Sequence, residues 1–214
     1  MSSSTVLRPV WRRFVPRHAS RAAEHVRAGG AAAIVHDDKR IDMWLPVGAD
    51  GRISELGHWA VLALEQRLWR RVPEGPGKGL ASARVGKHSI DAVLDWCERD
   101  GALEGPTRKL ELDCLDCGAC CHDSNVLLDA DDLERFREGG RPDLTTSRYV
   151  KRSRDGKLTL RWAAPGPCQH LQSDNKCQIY ALRPFNCSVF PVGSEACLAA
   201  RESTLSLRDD GAIG

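Results

Sequence analysis

Nothing constrains this chain more than the stretch Cys114-Leu-Asp-Cys117-Gly-Ala-Cys120-Cys121, four thiols within eight residues. Four more follow at Cys168, Cys177, Cys187 and Cys197. The first 96 residues contain none, and Cys97 stands apart from the rest. Thiols crowded into one half of a chain end up as disulfides, redox groups or metal ligands. The N-terminus has no apolar export core, so a reducing, cytoplasmic setting is expected. In that setting clustered cysteines read as metal ligands or redox groups rather than a disulfide framework.

The donor chemistry agrees. Thiolates are soft, charged ligands suited to zinc and iron. A C-x2-C turn brings two sulfurs to one metal, and Gly118 lets the backbone fold tightly beside it. Cys114, Cys117 and Cys120 also reproduce the first three positions of an iron–sulfur run, C-x2-C-x2-C. The fourth position, with its proline, is missing, and Cys121 follows Cys120 directly. Neighbouring side chains usually diverge, so this adjacency suggests more than one centre. Cys114, Cys117, Cys120, Cys121, Cys168, Cys177, Cys187 and Cys197 suffice for two four-sulfur sites, for a cluster plus a zinc, or for a two-metal centre with bridging sulfurs. His122 and His170 each lie beside a ligand candidate and are the nearest substitutes for sulfur. Lys151, Arg152, Arg154 and Arg183 are cations able to offset thiolate charge, although basic side chains more often form a solvated face.

Periodicity places these residues on an α+β chain. Ala31–His36 and Ile41–Val47 flank the polar turn Asp37-Asp38-Lys39-Arg40 and read as a hairpin; in the second strand Ile41, Met43, Leu45 and Val47 alternate with Asp42, Trp44 and Pro46. A helix is expected over Gly57–Arg71, with Val61, Leu64 and Leu68 on one stripe. The loop Pro73–Gly79 lacks the phosphate-loop pattern. Ser89–Arg99 reads as a helix capped by Ser89 and stopped by Gly101, with Cys97 on the buried stripe with Ile90, Val93 and Leu94, as a core residue and not a ligand. Gly105-Pro106 is the expected junction. Asp129–Glu138 is a further helix with Leu133 and Phe136 inward, ended by Gly139-Gly140. Arg148–Ser153 and Lys157–Trp162 form a hairpin about Asp155-Gly156. The expected organisation is a basic leader over 1–30, a small α+β region over 31–105, and a loop-rich, metal-organised region over 106–214.

Composition excludes more than it assigns. A net charge of +2 does not by itself call for a polyanionic partner. No run approaches the roughly 18 apolar residues of a membrane span. The leader carries Arg8, Arg12, Arg13, Arg17, Arg21 and Arg27 against Glu24, but these lie far from the cysteines, so a nucleic-acid module is not expected. A partner peptide or protein is expected to use the N-terminal half.

The run Cys114-x2-Cys117-Gly-x-Cys120-Cys121, then Pro167-Cys168-x2-Leu171, then Lys176-Cys177-x-Ile179-Tyr180-x2-Arg183-Pro184-x2-Cys187-x2-Phe190-Pro191, resembles the YkgJ-type cysteine cluster proteins, the CxxCxxCC family. The resemblance covers roughly residues 110–200, and Cys197 sits where such proteins often carry a last cysteine. It implies a zinc- or iron-chelating domain of bacterial type. Related sequences occur in flagellin lysine methylases, where the cluster is thought to be iron–sulfur, which implies a second reading: a metal-dependent enzyme modifying a peptide or protein. Within the motif, Ile179 and Tyr180 are expected to pack under the metal loops. Arg183 is expected either to donate to a sulfur, to hold an anionic ligand, or to form an ordinary ion pair.

Overall fold

The computed structural model describes residues 3–65, 68–122, 125–162 and 166–208. It contains helices and mixed sheets and is an α+β protein. The chain forms two compact units, one built on Thr5–Glu111 with Gly193–Ala199, the other on Leu112–Val192 with Ala200–Leu207. The division falls inside the strand Thr107–Asp113, a few residues beyond Gly105-Pro106.

In the N-terminal unit, strands β1 (Ser3–Pro9) and β2 (Trp11–Phe14) precede helix α1 (Ala19–Arg27). Then come β3 (Ala31–Asp37), β4 (Arg40–Leu45), α2 (Glu55–Ala63), β5 (Arg70–Arg71), β6 (Ala81–Arg84), α3 (Ile90–Arg99) and β7 (Thr107–Asp113). Five strands make one sheet in the order β2-β3-β4-β6-β5, and β1 pairs with β7. β2 and β3 are parallel; the other neighbours in the five-stranded sheet are antiparallel. A parallel pair needs a crossover, and α1 supplies it.

Both faces of this sheet are covered. Ala31, Ala33 and Val35 of β3, with Ile41, Met43 and Leu45 of β4, pack against Val61, Val93, Trp96 and Cys97. Ala32 and Ile34 face the other way, onto Ala22, Ala23 and Val26 of α1. A strand buried on both faces loses its alternation, and the Ala-Ala-Ala-Ile-Val run of β3 shows this. The hairpin of β3 and β4 and the burial of Cys97 are as the sequence indicates.

Three expectations are corrected or refined here. The basic leader expected over 1–30 is more ordered than its charge suggests: residues 3–27 form two strands and a helix, with Val10 and Trp11 fully buried. Charge misleads here because Arg8 is itself buried, 1 % exposed, in a network of ion pairs. Its guanidinium makes a two-pronged contact with Asp100 at 2.8 and 2.9 Å and also donates to Glu195 at 2.9 Å. Arg99 donates to Glu195 as well, and the Trp11 indole N–H completes the set at 2.9 Å. Burial alone would lower the Arg8 pKa, but Glu195 and Asp100 outweigh it and hold the guanidinium charged. The helix expected over Gly57–Arg71 is α2, which Ser54 caps by accepting the Gly57 N–H at 3.1 Å. It ends early because Glu65 adopts φ 56°, and the chain returns as β5; Leu68 is then exposed, while Gln66 and Arg67 lie outside the described residues. Ser89 does precede α3, but its side chain accepts no capping bond, because a 3-10 turn over Lys87–Ser89 leads into the helix.

The C-terminal unit begins with α4 (Cys114–Cys117) and a 3-10 turn, Ala119–His122. β8 (Leu127–Leu128), α5 (Ala130–Glu138), β9 (Val150–Arg152) and β10 (Leu158–Leu160) follow, then α6 (Phe185–Ser188) and α7 (Glu195–Leu205). The expected hairpin is present as β9 and β10, shorter than the sequence suggests, with Gly156 at φ 85° in its turn; β8 joins the far edge of β10. α5 carries a reciprocal cap: Asp129 accepts the Asp132 N–H at 2.8 Å, and Asp132 accepts the Asp129 N–H at 3.2 Å. Phe136, Leu144, Leu160 and Ile179 form the core of the unit. Among the described residues no helix is long and apolar enough to cross a membrane.

Candidate metal centre

The first cysteine cluster is shaped by two turns back to back. Asp113 accepts the Leu115 N–H at 2.8 Å and starts α4. Gly118 then takes a left-handed φ of 59°, as a tight C-x2-C turn requires. A side chain there would fail twice, since an added Cβ would stand 2.7 Å from the Asn175 carbonyl oxygen. Gly118 is thus the point where the first cluster packs onto the loop carrying the later cysteines.

That later loop is a narrow turn. Leu171 and Cys177 form an antiparallel bridge, Gln178 N–H donates to His170 O at 2.8 Å, and Asn175 sits at φ 64°. The turn folds Cys177 back beside Cys168. Cys168 N–H donates to Cys121 O at 2.8 Å, which joins the two cysteine regions through the backbone. Cys187 arrives on α6, whose start is fixed by Asp132: its buried carboxylate accepts the Phe185 N–H at 2.8 Å. Asn186 anchors the same short helix by donating to Leu127 O at 3.1 Å.

The result is a shared environment for six thiols. Cys121, Cys168, Cys177 and Cys187 all pack in or against one apolar cluster. Cys120 is close enough to act electrostatically on Cys114, Cys121, Cys168, Cys177 and Cys187. Burial pushes the thiols of Cys114, Cys168 and Cys177 up, and that of Cys187 up to about 12. Backbone N–H groups of His170 and Ile179 oppose this at Cys168 and Cys177, each from two residues downstream. Donors placed in this way offset charge on a sulfur once it is ionised.

Cys120 and Cys121 influence each other strongly. Both lie on the 3-10 turn Ala119–His122, and each thiol is the largest influence on the other's ionisation. The interaction lowers Cys120 to about 7 against the effect of burial, and raises Cys121.

The other candidates divide. Cys117 and Cys114 bracket α4, while Cys197 lies on the first turns of α7, where its N–H donates to Ser194 Oγ at 3.2 Å, on the segment that belongs to the N-terminal unit. His122 is exposed at the end of its turn. His170 is buried and stacks on Tyr149 with ring centroids 5.0 Å apart; its Nε2 has no hydrogen-bond partner among the described residues, and burial lowers its pKa. Arg183 lies over the Tyr180 ring at 4.1 Å, and its charge eases ionisation of Cys114 and Cys177. Sequence reasoning missed Arg201, whose Nη1 donates to Cys117 Sγ at 3.3 Å. No motif spacing connects positions 84 residues apart.

Among the described residues, no group of three or more His, Cys, Asp and Glu side chains is drawn together tightly enough to hold a metal as it stands. The donor set still fits a soft metal: Cys120 acts on five other thiols of the same unit, most of them half-buried, with sulfur-directed N–H groups at Cys168 and Cys177, Arg183 near Cys114 and Cys177, and Arg201 on Cys117. No curated protein and no solved structure matches the chain. Residues 113–204 do match the family model CxxCxxCC, described as "Putative zinc- or iron-chelating domain", so this part of the chain is similar to that domain.

Proposed function

We propose that the C-terminal unit binds zinc or iron through its thiols, Cys114, Cys117, Cys120, Cys121, Cys168, Cys177 and Cys187. The observation that carries this is the convergence of Cys120 with five other thiols from three separate segments. A disulfide framework would pair these sulfurs in twos, yet all nine cysteines are free. A metal supplies the charge that lets several buried thiols ionise together, and each proton leaves as a sulfur binds. Arg183 assists by offsetting thiolate charge at Cys114 and Cys177.

The test is metal analysis and an ultraviolet–visible spectrum of the anaerobically purified chain. Stoichiometric zinc without colour, or iron with visible absorption, supports the reading. Acid-labile sulfide would further identify an iron–sulfur cluster. Less than a tenth of an equivalent of either metal after reconstitution under reducing conditions would sink it. Cys120→Ser is expected to lose most of the metal, and Cys97→Ser to keep it, because Cys97 is a buried core thiol pushed up to about 12 chiefly by burial.

A further inference from the structure

We infer that Arg201 is a positioning residue for the metal centre: it holds the Cys117 sulfur in place and offsets its charge when that sulfur is a ligand. The inference rests on the proposed function above. Arg201 Nη1 lies 3.3 Å from Cys117 Sγ, with both side chains half-buried. A guanidinium only donates, and a neutral thiol is a poor acceptor, so the contact gains most of its strength once Cys117 is a thiolate. The arginine is not reaching in from a mobile tail. It stands on α7, and one turn further on Thr204 Oγ1 donates to Ala119 O at 3.4 Å. Residues three apart share a helix face, so this face of α7 grips the first cysteine cluster at two points, one on each side of Gly118.

Charge gives the contact its purpose. Four thiolates on a divalent ion leave two negative charges in excess. Arg183 acts on Cys114 and Cys177, which leaves Cys117 to be served from elsewhere, and Arg201 meets it directly. Cations on different sulfurs allow a charge-rich site to persist in a half-buried setting. Lysine in place of Arg201 would keep the charge but lose the planar fork that fixes direction.

The experiment compares the full-length wild-type chain with Arg201→Met and Arg201→Lys. Zinc affinity is read by competition with a chromogenic chelator, and residue-resolved alkylation of the zinc-loaded protein is read by mass spectrometry. Arg201→Met is expected to weaken zinc binding about 10- to 100-fold. Cys117 should become the first thiol alkylated, ahead of Cys120 and Cys177, and Arg201→Lys should fall between. A general loss of structure would expose all the thiols together, so selective exposure of Cys117 separates positioning from folding. Wild-type protein that takes up zinc, beside an Arg201→Met variant with the same affinity and alkylation order, overturns this inference alone. Wild-type protein that takes up no zinc overturns both this inference and the zinc reading of the site.

Discussion

At the scale of single residues, the environment of a side chain decides its chemistry more than its identity does. Cys120 and Cys97 are both cysteines, yet one is lowered to about 7 by a neighbouring thiol and the other is raised to about 12 by burial. The sequence places Cys97 on a helical stripe, and the structure buries it there, while Cys120 falls in a C-x2-C-x2-C run. It does not show that Cys120 and Cys121 act on each other, since that depends on a 3-10 turn with no strong local signature. His25 shows the same principle for a base. Its ring is half-buried, its Nε2 meets Val10 O at 2.8 Å, and a Cβ at Gly30 would strike it. Burial is the main cause that lowers its pKa below the ordinary value of about 6.5. In the window just below that value the unfolded chain binds a proton that the folded chain refuses, so stability rises with pH there and falls as pH drops through it. Urea titrations between about pH 7 and pH 5 should show this fall in the wild type, and a shallower one in His25→Gln. Identical slopes would show that another group is responsible.

At the scale of elements, short pieces are held by side chains borrowed from their neighbours. α6 has four residues, too few to be stable alone, and it delivers Cys187. Asp132 makes this possible by capping α5 and accepting the Phe185 N–H with one buried carboxylate. Asp132→Ala should cost about 1–3 kcal/mol, the usual penalty for leaving buried donors unpaired. It should also speed alkylation of Cys187 relative to Cys168 in the metal-free chain. Equal rates in variant and wild type would mean that α6 is held by Asn186 and its apolar contacts alone. α5 itself was legible, since acidic first-turn residues, inward Leu133 and Phe136 and the terminal glycines all agree. The role of Asp132 in a segment 53 residues away was not, because tertiary hydrogen bonds carry no periodicity. The overextension of α2 has the same root: Leu68 continues the apolar stripe, but a chain reversal at Glu65 leaves it in water.

At the scale of the whole molecule, the hardest feature to read is the N-terminal unit's buried charge. Six arginines in a short span resemble a solvated arm, yet Arg8 joins Arg99, Asp100 and Glu195 in a closed network with both signs balanced. Removing one partner of such a set leaves the others buried and uncompensated. Glu195→Ala should therefore destabilise the protein by about 3–5 kcal/mol, measured as a lower denaturant midpoint. Replacement without such a shift would show that water reaches the network and screens it. The strands β1 and β7 escaped notice for a related reason: β1 buries Arg8 and exposes Leu7, the reverse of the usual pattern, and in β7 the alternation shows only at Leu110 and Leu112 between the exposed Lys109 and Glu111. The backbone bond from Cys168 to Cys121 has a consequence in time as well as in space. The first four thiols leave the ribosome 47 residues ahead of Cys168, by the difference between positions 168 and 121. At about 5–20 residues per second that is an interval of roughly 2–9 seconds. During it the early thiols have no partner loop to bury them, so each new chain passes through a window in which oxidant and metal compete for the same sulfurs.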